Sequence, residues 1–299
     1  MKFSAVVLII PEEDENRAVG ILKHAGATGL TILKGKGLRH NERKTFLGLG
    51  LERKESVLLC VVEKQLAMRI LRSVKSEMKL DEPGGGWVVH LRDPDGRSVD
   101  VVAGIEPLPP LPVSGHAPLN TGAARPRVDE LQRVRTGPSQ VKRFGHAAIK
   151  TASLADTAAW YQRTLGLLTS DDVYLATPDE PLGRFLRCDR ADQPADHHSL
   201  LVIETGEARL GHCAWEVADV DDLMAGHDHL LADDRQHYWG VGRHVLGGQV
   251  FDYWKDPLGF TVEHWTDADL LTSVVPAGAR SLVEPINQWG PAPPADLDF

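Results

Sequence analysis

The sequence predicts an α+β chain in which alternating strands and helices precede a strand–turn–helix unit that occurs twice. Three observations predict it. Apolar, strand-like runs alternate with amphipathic segments over residues 1–86. A strand opening Gly-His is found at Gly145-His146 and again at Gly211-His212, each followed by a helical segment. An Asp-Pro-x-Gly turn leading into a strand is also found twice, at 93–96 and 256–259.

The elements follow in order. Phe3 to Ile10 is a β-branched apolar run. Asp14 to Ala25 has helical spacing, with Ala18, Ile21, Leu22 and Ala25 on one face and Gly26 as a stop. Leu30 to Leu33 reads as a short strand, and Gly35 to Asn41 as a glycine-rich basic loop. Ser56 to Val62 is a strand, and Leu66 to Met78 a helix with Leu66, Ile70, Leu71 and Val74 on its face. This order fits a small ferredoxin-like βαββαβ unit. Gly84-Gly85-Gly86 breaks the pattern. A strand at 87–91, the turn at 93–96 and a strand from Ser98 to Val102 come next. Residues 106–140 are rich in Pro, Gly and Arg without apolar periodicity and read as a linker that wraps a surface.

Composition narrows the function. The chain has 299 residues, 42% of them hydrophobic, and its 33 Lys+Arg against 42 Asp+Glu leave a net charge of -9. An acidic chain is a poor binder of a phosphate backbone, so no nucleic-acid partner is expected. No apolar run approaches the roughly 20 residues of a membrane helix, so no membrane is expected either. The apolar start is cut short at Pro11-Glu12-Glu13-Asp14-Glu15 and reads as a strand rather than a signal peptide. Cys60, Cys188 and Cys213 have no CxxC spacing, which points to a reducing, cytoplasmic protein without disulfides.

Residues 141–270 carry the chemistry. In the first copy of the repeat, Ser153 caps a helix with Leu154, Ala158, Tyr161 and Leu165 on one face. In the second, Asp219 caps a helix with Val220, Leu223, His227 and Leu230 or Leu231 on its face. Two histidines at equivalent positions of duplicated strands, His146 and His212, can face each other across a pseudo-twofold axis. In the later strand Thr261, Glu263 and Trp265 share a face, which lets Glu263 complete a three-ligand set. Two imidazoles and one carboxylate with open positions suit Fe(II) or Mn(II). The alternative is two satisfied core or edge histidines and a surface acid. The earlier turn–strand echo places Asp100 at the offset of Glu263, but with no Gly-His strand nearby it is expected to lack partners.

Gly145-His146-Ala147-Ala148-Ile149, residues 211–217 (GHCAWEV) and residues 252–263 (DYWKDPLGFTVE) resemble the catalytic domain of type I extradiol ring-cleavage dioxygenases of the vicinal oxygen chelate superfamily. The likeness extends in weaker form from about residue 92 to 270. It implies a fold of paired βαβββ modules and a metal that is usually Fe(II) and sometimes Mn(II), held by His146, His212 and Glu263. It implies His198 as the acid–base histidine, with His197 as a rival, and His244 and Tyr253 as further pocket residues. The substrates implied are a catecholic aromatic and O2, in bacterial aromatic degradation, in a cytoplasmic homo-oligomer. Trp215, Phe185 and Phe251 are candidates for an apolar slot around the ring.

The front does not match that family. Residues 26–37 (GATGLTILKGKG), 45–49 (TFLGL), 55–59 (ESVLL) and 81–84 (DEPG) resemble a small PII-type nitrogen-regulatory protein. That resemblance implies a ferredoxin-like unit that is usually trimeric and often binds nucleotides; Lys34 to Arg39 could then cradle a phosphate. The expected organisation is a PII-like domain at 1–86, a remnant of a front module with a linker at 87–140, the catalytic domain at 141–270 and a tail at 271–299 that is either a cap or a loose end. The rival functions are a nucleotide-sensing regulatory protein and another vicinal-oxygen-chelate lyase or isomerase.

Overall fold

A computed structural model of the chain describes residues 3–37, 45, 46, 49, 50, 53–80, 87–103, 118–295 and 297. The chain divides into two compact units, one of residues 1–91 and 99–109, the other of residues 92–98 and 110–299.

In the first unit strand β1 (Phe3–Pro11) leads through a short 3-10 turn into helix α1 (Glu15–His24). Strands β2 (Thr31–Gly37) and β3 (Arg53–Glu63) follow, then helix α2 (Lys64–Glu77). β3 lies between β1 and β2 and is antiparallel to both. The residues at helical spacing do form the core: Ala18, Ile21 and Leu22 of α1 meet Ile70 and Val74 of α2 and Leu58 and Cys60 of β3. Strands β4 (Trp87–Arg92) and β5 (Ser98–Ala103) pair with each other and, among the described residues, form a two-stranded sheet. Asp100 is not without a partner, contrary to expectation: its Oδ1 lies 2.7 Å from His90 Nδ1, across an exposed pair. Lys34, expected in a phosphate-cradling loop, sits on β2 and is bound by Glu12 at 3.0 Å and by Glu15. The rest of that loop from Leu38, the triple glycine at 84–86 and residues 104–117 of the linker lie outside the described residues.

The second unit contains two βαβββ modules. The first runs β6 (Val141–Thr151), α3 (Leu154–Leu165), β7 (Leu167–Tyr174), β8 (Pro181–Cys188) and β9 (Leu200–Glu204). The second runs β10 (Arg209–Val217), α4 (Val220–Ala232), β11 (His237–His244), β12 (Val250–Lys255) and β13 (Thr261–Thr266). Two tail strands, β14 (Gly278–Ser281) and β15 (Asn287–Trp289), close the edges of one ten-stranded sheet ordered β14-β7-β8-β9-β6-β10-β13-β12-β11-β15. The halves therefore mirror each other about the antiparallel β6–β10 pair.

Both helices start as their sequences imply. The Ser153 side chain accepts from Asp156 N and the Asp219 side chain from Asp222 N, which satisfies an otherwise orphaned N–H at each helix start. Gly166 closes α3 in the left-handed conformation. The two Asp-Pro-x-Gly turns are also built alike. Gly96 N donates to Asp93 O as Gly259 N does to Asp256 O, and Asp93 N and Asp256 N bond back to Arg97 O and Phe260 O.

The apolar faces of the helices depart from expectation at their ends. Leu165 is 37% exposed, and Thr157 is buried instead. On α4, Val220 and Leu231 are exposed, while Asp222, Leu223 and Gly226 are buried. On α3, Thr157 is held inside by the Thr151 hydroxyl at 2.7 Å; on α4 the reason is the chain segment before β6. Residues 118–140 have no helix or strand, yet they run over α4: Gln132 Nε2 donates to Asp221 Oδ2, Ser139 Oγ to Asp222 O, and Gln140 N to Asp222 Oδ2 at 2.8 Å. A polar tether thus occupies a face that an apolar pattern assigns to the sheet. Replacing Asp222 by Ala removes the acceptor for both Gln140 N and Ala218 N. Amides of residues 130–140 should then exchange hydrogen faster while β6 keeps its protection; unchanged exchange at 130–140 would contradict the tether.

Candidate metal centre

His146 comes from β6, His212 from β10 and Glu263 from β13, three adjacent strands at the middle of the sheet. The register brings them together: Ala214 pairs with both His146 and Glu263, and His212 lies two residues earlier on the same face of β10. His146 Nε2 lies 3.1 Å and His212 Nε2 3.4 Å from Glu263 Oε2, and the two Nε2 atoms are 3.3 Å apart. As expected, Thr261, Glu263 and Trp265 share the buried face of β13. Gly145 is required by that packing, because a Cβ there would stand 2.5 Å from the Trp265 ring.

Glu263 is 0% exposed, and neither carboxylate oxygen has a hydrogen-bond partner. Burial by itself would raise its pKa, but the facing histidines outweigh burial and hold the carboxyl below the usual range. Burial lowers the pKa of His212, with Glu263 opposing. The result is a bare carboxylate and two imidazole nitrogens brought together in a buried place. An unpaired buried charge costs several kcal/mol. A divalent cation between the three donors removes that cost, and the donor set suits Fe(II) or Mn(II). The three residues fit such an ion.

A second cluster has similar residue types, His227 on α4, His237 on β11 and Asp252 on β12. It differs in one respect. Asp252 is fully satisfied, by His227 Nδ1 at 3.1 Å, His237 Nε2 at 2.9 Å and the Trp254 indole N–H at 2.6 Å. It is a hydrogen-bonded network that fixes α4 on the sheet, and it lacks the orphaned oxygens of Glu263.

The pocket around the first cluster has about 850 Å³ of free space, its open mouth included. His198, His244 and Tyr253 all line it. His244 Nε2 lies 3.2 Å from the Tyr253 hydroxyl and 4.0 Å from Glu263 Oε1, and its ring stacks on Phe251 at 3.9 Å between centroids. Burial lowers the His244 pKa to about 4. It raises that of Tyr253, to which the Glu263 charge adds. The His198 ring lies 4.1 Å from that of His146, and burial, with the neighbouring histidines adding, depresses its pKa well below the ordinary value. His197 turns away from the pocket and bonds Asp171. Of the expected aromatic slot, Phe185 lines the pocket and Phe251 supports His244 from beneath, whereas Trp215 packs edge-on against Phe144 away from it.

Sequence reasoning did not find most of the walls. Leu182, Leu201, Leu246, Leu282 and Ile286 line the pocket, and Arg280 and Ser281 stand beside them. The last four residues belong to the tail, which packs into the sheet edge rather than ending loosely.

The buried carboxylate yields a prediction about metal. With Mn(II) added, the parent should unfold several degrees higher than its metal-free form, and Glu263→Gln should gain little. An equal gain in both would contradict the assignment.

Comparison with known proteins bears on family and fold. The profile of the Glyoxalase/Bleomycin resistance protein/Dioxygenase superfamily matches residues 143–264. Metapyrocatechase 2 of Cupriavidus necator is 30% identical over 237 residues, covering 78% of this chain and 68% of that protein. Biphenyl-2,3-diol 1,2-dioxygenase of Sphingomonas paucimobilis is 25% identical over 205 residues, covering 68% of this chain and 62% of that protein. Among solved structures, the Mn(II)-bound glyoxalase of Novosphingobium aromaticivorans shares the fold, with a TM-score of 0.53 at 23% identity over 78% of this chain and 70% of that one. Two βαβββ modules, a convergent two-histidine, one-carboxylate set and a metapyrocatechase relative together show that the chain belongs to the Glyoxalase/Bleomycin resistance protein/Dioxygenase superfamily, among the relatives of the extradiol dioxygenases.

Proposed function

We propose that the chain is a metal-dependent extradiol dioxygenase that opens a catecholic aromatic ring with O2. The observation that carries this reading is the convergence of six groups on one apolar pocket: His146, His212 and Glu263 as donors, with His198, His244 and Tyr253 around them. The names of the two curated relatives, a metapyrocatechase and a biphenyldiol dioxygenase, support the same class.

His146, His212 and Glu263 would hold the ion, Fe(II) first and Mn(II) as the alternative. When bound, the ion supplies Lewis acidity toward a substrate hydroxyl and open positions for a diol and O2. The chain supplies the rest. Tyr253 keeps its proton, since burial and the Glu263 charge both raise its pKa, so its hydroxyl donates a hydrogen bond to a substrate oxygen. His244, neutral and 3.2 Å from that hydroxyl, fixes where the oxygen sits. His198, also neutral, can take a proton from the substrate and return it as the ring opens. Such acid–base assistance contributes roughly 10²–10⁴-fold. Leu182, Phe185 and Leu201 form a wall for the aromatic ring and exclude water from it.

An isomerase or lyase built on the same modules would have less use for His198, His244 and Tyr253 together. The nucleotide-sensing alternative is not favoured, because Lys34 is neutralised by Glu12 and Glu15. The strand order of the first unit, with β3 between β1 and β2, supports reading it as a ferredoxin-like split βαβ. We infer that this unit serves oligomerisation or packing, in a cytoplasmic enzyme.

Fe(II)-loaded protein should consume O2 with at least one member of a panel of substituted catechols and form the yellow ring-opened product. His146→Ala should abolish this. His244→Ala should lower kcat/KM by about 10- to 1000-fold while Fe(II) content stays unchanged. Full activity in His146→Ala would remove the reading.

A further inference from the structure

His198 is the end of a buried chain of hydrogen bonds. Its Nδ1 lies 3.1 Å from Nδ1 of His197, and Nε2 of His197 lies 2.7 Å from Asp171 Oδ2. Both rings are buried, 5% and 3% exposed. The chain is held rigidly. His197 N donates to Asp269 O, Ser170 Oγ donates to His197 O, and the Phe185 ring stands edge-on to both imidazoles. Asp171 lies on β7 opposite Gly278 of β14, where any Cβ would strike its carboxylate.

Donor and acceptor counting fixes the protons once His197 is taken as neutral. An ionised carboxylate only accepts, so the proton between Asp171 and His197 belongs to His197 Nε2. A neutral His197 then presents a lone pair at Nδ1. The bond between the two rings needs one proton, and that proton must come from His198 Nδ1. Nε2 of His198, its one remaining ring nitrogen, is left bare toward the pocket that His198 lines. A protonated His197 would reverse the order and put a proton on that Nε2.

We propose that Asp171 and His197 are positioning residues that lock His198 in the Nδ1–H tautomer, so that its Nε2 faces the substrate as a proton acceptor. The proposal rests on the reading of His198 as the acid–base group. Neither Asp171 nor His197 touches substrate; each acts through the next ring. Fixing the tautomer from behind is the general means by which one histidine nitrogen is kept free for catalysis.

The test combines nitrogen NMR with variant kinetics. In ¹⁵N-histidine-labelled, metal-free parent protein, His198 should show a protonated Nδ1 and an unprotonated Nε2. His197→Leu should lose that preference and lower kcat by about 10- to 100-fold, with KM within about twofold and metal content unchanged. Asp171→Ala should change kcat in the same direction. His197→Gln should recover most of the loss, because a carboxamide can accept from His198 and donate to Asp171 as the imidazole does. A protonated Nε2 on His198 in the parent protein overturns the proposal whether or not any variant folds. So does a His197→Leu enzyme of parental kcat when His198→Ala is slow. Parental kcat in His198→Ala overturns instead the acid–base reading beneath it.

Discussion

An ionised carboxylate in a buried sheet centre, facing two imidazoles and bonded to neither, is the constraint on which the second unit is organised. Glu263 is fully buried with both oxygens unpartnered. The Nε2 atoms of His146 and His212 face it at 3.1 and 3.4 Å. Such a centre is unstable as a hydrogen-bonded core and stable as a ligand sphere. The Asp252 network on the helix side of the same sheet is the internal control. It uses the same residue types in a protein-satisfied arrangement.

Duplication explains the placement of the histidines, and a departure from it explains the pocket. His146 and His212 hold equivalent places on the first strands of the two modules. Two residues on, Ala148 pairs with Leu201 of β9, as Ala214 pairs with Glu263 of β13. Leu201 is thus the counterpart of Glu263. One module contributes a carboxylate with His244 and Tyr253 nearby; the other contributes an apolar wall with Phe185 and Leu182. The pseudo-symmetric sheet thus carries an asymmetric pocket, in which polar groups gather around the histidine pair and apolar side chains line the rest, as a flat aromatic diol requires.

The sequence made the centre legible and its surroundings much less so. The repeated Gly-His strands and the period-2 spacing around Glu263 are local patterns, and local patterns survive without coordinates. His198, His244 and Tyr253 came from likeness to a family rather than from periodicity. The tail was opaque because β14 and β15 are four and three residues long and pair with strands more than forty residues away. The α4 face was misread because a polar tether replaces apolar packing on it. Asp171 carried no signal at all: its neighbourhood is created by a strand register and a tail glycine, neither of which is visible along the chain.

Diffraction from crystals of the Fe(II)-loaded protein, with data on both sides of the iron absorption edge, tests the central claim most directly. The account predicts one strong anomalous peak per chain, bonded to His146 Nε2, His212 Nε2 and Glu263. A peak at His227, His237 and Asp252 instead, or no ordered metal between the first three side chains, would contradict it.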